Sequence, residues 1–114
     1  MVIERGDVWW ADLGEPQGAV AGFRRPVIVV QASRINASQI DSVLCIPLTG
    51  TLKWGVLPTN LRLPPEVTGL AKESVAQTTL MLAVDKDDLI ERIGRLTFNQ
   101  LEQLFRCLDI ALGR

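Results

Sequence analysis

A chain of 114 residues with 47% hydrophobic side chains and a formal charge of −1 is expected to be one domain, 1–114, built around a single core, and it holds no apolar run near the ~18 residues of a membrane span. It has no histidine and no tyrosine, which excludes a Ser-His triad, an imidazole acid–base pair and the commonest zinc ligand, so any catalysis must come from Arg, Lys, Ser, Thr, Asp or Glu. The charge is uneven: residues 20–62 hold Arg24, Arg25, Arg34, Lys53 and Arg62 against Asp41 alone, between acidic ends, and this permits an anionic partner.

The opening "MVIERGDVWWADLG" places charges where a signal peptide needs an apolar stretch, so the chain is expected to be folded from its start and cytosolic. Arg5-Gly6-Asp7 reads as a local structural cluster. Asp7 to Leu13 has strand composition on both faces, with Trp9 and Trp10 expected as core or subunit contacts. Gly14, Pro16, Gly18 and Gly22 mark a long loop. Pro26 to Gln31 is a continuous β-branched run, the signature of a central strand buried on both faces. "ASRINASQID" suits a turn or short helix. Ser42 to Gly50 is a third strand, in which Pro47 implies an edge position or a bulge.

"TLKWGVLPTNLRL" reads as a loop and then a strand with Leu57, Thr59, Leu61 and Leu63 on one face. "PPEVTGLAKE" is punctuated as a turn or one helical turn, and Ser74 just after it reads as a structural hydroxyl in a turn rather than a nucleophile. "SVAQTTLMLAV" is another strand, bent, and "DKDDLIERIGRL" a short turn and a strand or helix edge, with Asp85, Asp87 and Asp88 on the solvated turn. Thr97 and Gln100 form a capping box ahead of Phe98, Leu101, Leu104, Phe105, Leu108 and Leu112 at helical spacing, and Gly113 ends that helix. Cys45 and Cys107 lack metal spacing and read as buried free thiols. The fold class is mainly β with a terminal helix, a small, strongly bent antiparallel barrel closed by that helix.

This strand order places a site. A residue before proline is pushed toward extended geometry, so Arg25 is already strand-like. If Pro26–Gln31 and Ser42–Thr49 pair antiparallel, Arg25 and Thr49 meet at one end of the sheet, overhung by the loops 14–23 and 50–57. A guanidinium matches phosphate oxygens, and Phe23 and Trp54 can stack on unpaired bases, with Arg24 and Lys53 adding charge. The constellation suits single-stranded RNA. The same residues also fit a solvated strand end, with Thr49 bonded to its own turn and Trp54 packed under a loop.

"ERGDVWWADLGEPQG", "GFRRPVIVVQ", "IPLTG" and "GLAKESVAQTTLMLAVDKDDL", in this order over nearly the whole chain, resemble the MazF/PemK/Kid toxins. The resemblance implies a homodimeric SH3-like barrel and a toxin–antitoxin role. It implies cleavage of single-stranded mRNA with no metal or other cofactor, by attack of the neighbouring 2′-hydroxyl to leave a 2′,3′-cyclic phosphate. An antitoxin segment is expected in the same groove. By position, Arg25 matches the family's arginine before proline and Thr49 its strand-three threonine, both on the scissile phosphate, while Gln77 and Thr79 fall where some members carry an acid and a base. Gly18-Ala19-Val20 stands where many members have a serine or histidine and a glutamate, and Leu80 where a glutamine is common, so the base is unassigned. Two alternatives stand beside this: a CcdB-like gyrase poison, whose Trp-Gly-Ile ending the tail "CLDIALGR" lacks, and a weakened homologue that only binds RNA or an antitoxin.

Overall fold

The computed structural model describes residues 1–15, 18 and 23–114. Among these residues seven strands, β1 (Asp7–Asp12), β2 (Arg24–Val29), β3 (Ser42–Thr49), β4 (Asn60–Leu63), β5 (Ser74–Gln77), β6 (Leu82–Asp85) and β7 (Leu89–Arg95), form one antiparallel sheet in the order β4-β5-β3-β2-β1-β7, with β6 also paired to β3. The helices are α1 (Ser33–Asn36), α2 (Pro65–Thr68) and α3 (Phe98–Leu112). The sheet curls but, against the expected closed barrel, does not close: β4, β6 and β7 each have a partner on one side alone among the described residues. Register shifts between Val8 and Trp9 and between Trp10 and Ala11 bend β1 as it crosses from β2 to β7.

The alternation of side chains builds two cores, one on each face. Trp9, Ala11, Val27, Val29, Val43 and Cys45 gather on one face with Val84 and Leu89; Val8, Ile28, Ile46, Leu48 and Ala76 gather on the other, under Leu104 of α3. This is why the second half of β2 is β-branched: Val27, Ile28 and Val29 are each fully buried. Burying each such side chain contributes roughly 1.5–3 kcal/mol.

Pro47 corrects the expectation of an edge or bulge. It is buried in a central strand, opposite Val27. On the other side of β3, pairing with β6 runs from Ser42 to Cys45 and pairing with β5 begins at Leu48. Ile46 and Pro47 fall in the gap where β3 exchanges neighbours, so the missing N–H is not needed there.

The segment "SVAQTTLMLAV" is bent as expected, and sharply: a 3₁₀ turn over Thr78–Leu80 separates β5 from β6. Thr78 is anchored there by its hydroxyl, which donates to the Thr59 carbonyl at 2.6 Å. The strand expected from Leu57 is shorter, because a 3₁₀ turn over Leu52–Val56 precedes β4. The Thr97–Gln100 capping box is present, and Gly113 ends α3 with φ +73°. Phe98 and Leu112, expected on the apolar face of α3, are exposed, while Leu104 and Leu108 are buried.

Arg5-Gly6-Asp7 is the structural cluster its sequence suggests. Asp7 is fully buried and accepts hydrogen bonds from Arg95 Nε at 2.9 Å, the Glu4 N–H at 2.9 Å and Trp9 Nε1 at 3.4 Å. Cys45 is a buried free thiol as expected, whereas Cys107 is only partly buried. Among the described residues, no helix is long and apolar enough to cross a membrane.

Candidate active site

The register of the central strands fixes what meets at the sheet's end. Val27 pairs with Pro47, and Thr49 with Val75, which in turn pairs with Arg62. Side chains two residues apart share a face, so Arg25 lies on the face of Val27, and Thr49 on that of Pro47. Continuing the register by two residues sets Arg25 opposite Thr49, at the margin where the ladder has opened. Thr49, Val75 and Arg62 form one cross-strand row on that same face. Trp10, Arg24, Pro26 and Leu48 belong to the opposite face by the same alternation.

Arg25 and Thr49 from the first face and Trp10, Arg24, Pro26 and Leu48 from the second border one concavity of about 420 Å³ at this margin, whose wall Leu70–Ser74 also forms. Its charged residues are Arg24, Arg25, Lys72 and Glu73, an excess of cations in an acidic chain. Arg25 is exposed. Arg24 stands opposite Asp12 in the β1–β2 register and 6.0 Å from the ring centre of Trp10, a cation–π distance that holds its guanidinium at the wall. The Thr49 hydroxyl accepts from the Thr51 N–H at 3.2 Å, bonded to its own turn, and its proton remains available to an acceptor. Glu73 accepts from Arg62 Nε at 2.7 Å. Ser74 is buried, and its hydroxyl donates to the Lys72 carbonyl at 3.5 Å, a structural role as expected.

The structure brings Arg24, Arg25 and Thr49 to this wall, and leaves the other expected residues off it. Phe23 is 62% exposed with φ +59°, an unusual backbone for a non-glycine residue. Its carbonyl accepts from the Leu13 N–H at 2.8 Å and its N–H donates to the Gly14 carbonyl, so the loop's ends are pinned together with the ring in solvent. Lys53 and Trp54 lie on the 3₁₀ turn before β4, with the ammonium 5.0 Å from the indole ring centre, so Lys53 already covers one face of Trp54. Gln77 ends β5 opposite Asn60, and Thr79 is exposed on the turn that follows, because the chain turns away there. Leu80 is partly buried on that turn; Val20 lies outside the described residues.

Trp10, Lys72 and Glu73 escaped the sequence reading as wall residues. Trp10 was legible only as a core or subunit contact, and Lys72-Glu73 only as part of a turn. The usable signal was topological: Glu73 stands two residues before Val75, the residue that pairs with Thr49. A second concavity of about 300 Å³ carries Asp12, Asp85 and Asp88 and suits no anion. Asp85 caps its own turn by accepting from the Asp87 N–H at 2.9 Å. Burial pushes the Cys45 thiol up to about 12 and raises that of Cys107, so neither is a ready nucleophile.

Residues 4–112 match the family described as PemK-like, MazF-like toxin of type II toxin–antitoxin system. Endoribonuclease MazF6 of Mycobacterium tuberculosis strain H37Rv is 35% identical over 108 residues, 95% of this chain and 95% of that protein. Among solved structures, MazF from Deinococcus radiodurans shares the fold with a TM-score of 0.83 at 21% identity, covering 100% of this chain and 99% of that one. An endoribonuclease in complex with its cognate antitoxin from a mycobacterial species gives a TM-score of 0.79 at 23% identity, over 97% of this chain and 95% of that one.

Proposed function

We propose that this chain, which belongs to the PemK-like, MazF-like toxin family of type II toxin–antitoxin systems, is an endoribonuclease toxin that cuts single-stranded mRNA at the margin shared by Arg25 and Thr49. The observation that carries the reading is the meeting of Arg25 and Thr49, from adjacent strands, on a concavity with an excess of cations.

The chemistry follows from what these groups can do. The Arg25 guanidinium holds the scissile phosphate and stabilises the charge that grows on its oxygens, while the Thr49 hydroxyl donates to the same phosphate. Both residues project from paired strands, Arg25 from β2 and Thr49 from β3. Removing one preorganised donor of this kind costs about 10²–10³ in rate. Attack by the neighbouring 2′-hydroxyl gives a 2′,3′-cyclic phosphate and consumes no water, so the reaction asks the protein for no metal-bound nucleophile. Arg24 and Lys72 attract the backbone. Phe23 and Trp54, off the wall, would stack on flanking bases, and Lys53, Gln77 and Thr79 would contact a longer strand.

The chain acts in the cytoplasm as a homodimer, and its antitoxin places a C-terminal segment in the same groove as the RNA. The gyrase-poison reading is not favoured, since the relative at 35% identity is named an endoribonuclease.

Single-turnover cleavage of a long single-stranded RNA tests the roles. Arg25→Ala and Thr49→Ala should each slow cleavage by about 10²–10³. Rates within threefold of the unaltered chain would remove both residues from the reaction.

A further inference from the structure

The reaction as described lacks a group to take the proton of the 2′-hydroxyl, and the chain has no histidine to supply one. We propose that Glu73 is that general base, held in place by Arg62; the proposal rests on the endoribonuclease reading above.

Glu73 is the only carboxylate among the described residues that border the concavity with Arg25 and Thr49. Arg62 shares a face with Thr49 through the row Arg62–Val75–Thr49, and the Glu73 carboxylate bonds Arg62 Nε, so the carboxylate sits on the Arg25–Thr49 face. Glu73 is diagonal to Thr49 across β3 and β5, a relation that separates backbones by roughly 7–8 Å and leaves long side chains within reach of one another. A ribose beside a phosphate held by Arg25 and Thr49 falls in that interval.

Arg62 is itself positioned. A Cβ on Gly55 would lie 2.6 Å from Arg62 Cγ and 2.8 Å from Cδ, so the bare glycine lets the arginine stem cross the 3₁₀ turn toward Glu73. Only Oε1 is engaged by Arg62, and Oε2 makes no hydrogen bond among the described residues. One oxygen is tethered and the other can accept a proton.

In the step, Glu73 takes the 2′-hydroxyl proton as the 2′-oxygen bonds to phosphorus. The bond from phosphorus to the 5′-oxygen breaks with its electron pair on that oxygen, which takes a proton from water. The products are a 2′,3′-cyclic phosphate and a 5′-hydroxyl end, and Glu73 returns its proton to solvent.

The test uses the full chain and a short RNA spanning a mapped cut site, with the same RNA carrying a single 2′-deoxyribose at that site as a binding probe. Glu73→Gln should slow single-turnover cleavage by about 10²–10⁴, with the Kd for the deoxy probe within twofold. Glu73→Asp should recover part of the rate. Arg62→Ala and Gly55→Ala, which touch only the positioning, should each lose about tenfold or less. Glu73→Gln cleaving within threefold of the unaltered chain would overturn the assignment while leaving the nuclease reading intact, as would a rate loss matched by weaker binding or by a lower urea midpoint. No cleavage by the unaltered chain would overturn both.

Discussion

Gly69 is where one added carbon should do most harm. It ends α2 with φ +78°, and a Cβ there would lie 1.9 Å from the Ile93 carbonyl oxygen and 2.7 Å from its carbon, both backbone atoms of β7. Gly113 ends α3 with nearly the same φ, +73°, yet nothing lies within 4 Å of its Cβ position. The two substitutions to alanine therefore share a conformational cost of about 1–2 kcal/mol, and only Gly69→Ala adds steric overlap. Forcing extra volume into a packed contact costs about 1–3 kcal/mol, so the expected losses are about 2–5 kcal/mol for Gly69→Ala and about 1–2 kcal/mol for Gly113→Ala. Urea unfolding at one fixed protein concentration would measure the difference, since any dimer ties stability to concentration. Because Leu70–Ser74 follows directly and walls the concavity, Gly69→Ala should also reduce RNA cleavage, whereas Gly113→Ala should not. Equal destabilisation by the two would refute the steric argument and with it the close packing of α2 on β7.

Asp7→Asn should destabilise by about 2–3 kcal/mol, because its amide cannot accept from Arg95, the Glu4 N–H and Trp9 together; a urea midpoint unchanged from the native chain would contradict the cluster. Thr97→Ala removes the acceptor for the Gln100 N–H and should cost about 1 kcal/mol, read in the same melt. Cys45 has a folded value of about 12 against an ordinary 9.0, so its stabilising contribution is complete below pH 9.0 and is lost as pH rises from there to about 12. Stability measured against pH should fall more steeply above 9 in the native chain than in Cys45→Ala, and parallel curves would contradict it. At pH 8 a thiol reagent should modify Cys107 well before Cys45, which is fully buried.

Much of this architecture was written in local pattern. The β-branched run at Val27–Val29, the capping box before α3 and the turn "PPEVTGL" all occur where side-chain period and punctuation put them, because each depends on near neighbours alone. Antiparallel pairing of β2 with β3, assumed across the segment that holds α1, is present, and it carries Arg25 toward Thr49. Pro47 was misplaced because its tolerance depends on a gap between β5 and β6, which exists only once three strands have assembled. Glu73 was missed for the same reason. Its relation to Thr49 passes through Val75, and its orientation through an arginine on a third strand. Phe23, Lys53 and Trp54 were chosen for chemistry, but a backbone pinned at φ +59° and a lysine resting on its neighbouring indole are details of loop geometry that residue spacing does not encode.

Under the proposed function, RNA is cut by its own 2′-hydroxyl at the Arg25–Thr49 margin. The most direct measurement incubates the full chain with single-stranded RNA in excess EDTA and reads the chemistry of the new ends, alongside Arg25→Ala and an RNA carrying 2′-deoxyribose at the cut position. Discrete cuts ending in 2′,3′-cyclic phosphate and 5′-hydroxyl groups are expected, strongly reduced in Arg25→Ala and absent from the deoxy substrate. Cuts that persist in the deoxy RNA, or that vanish with EDTA and return with a divalent cation, would contradict that function.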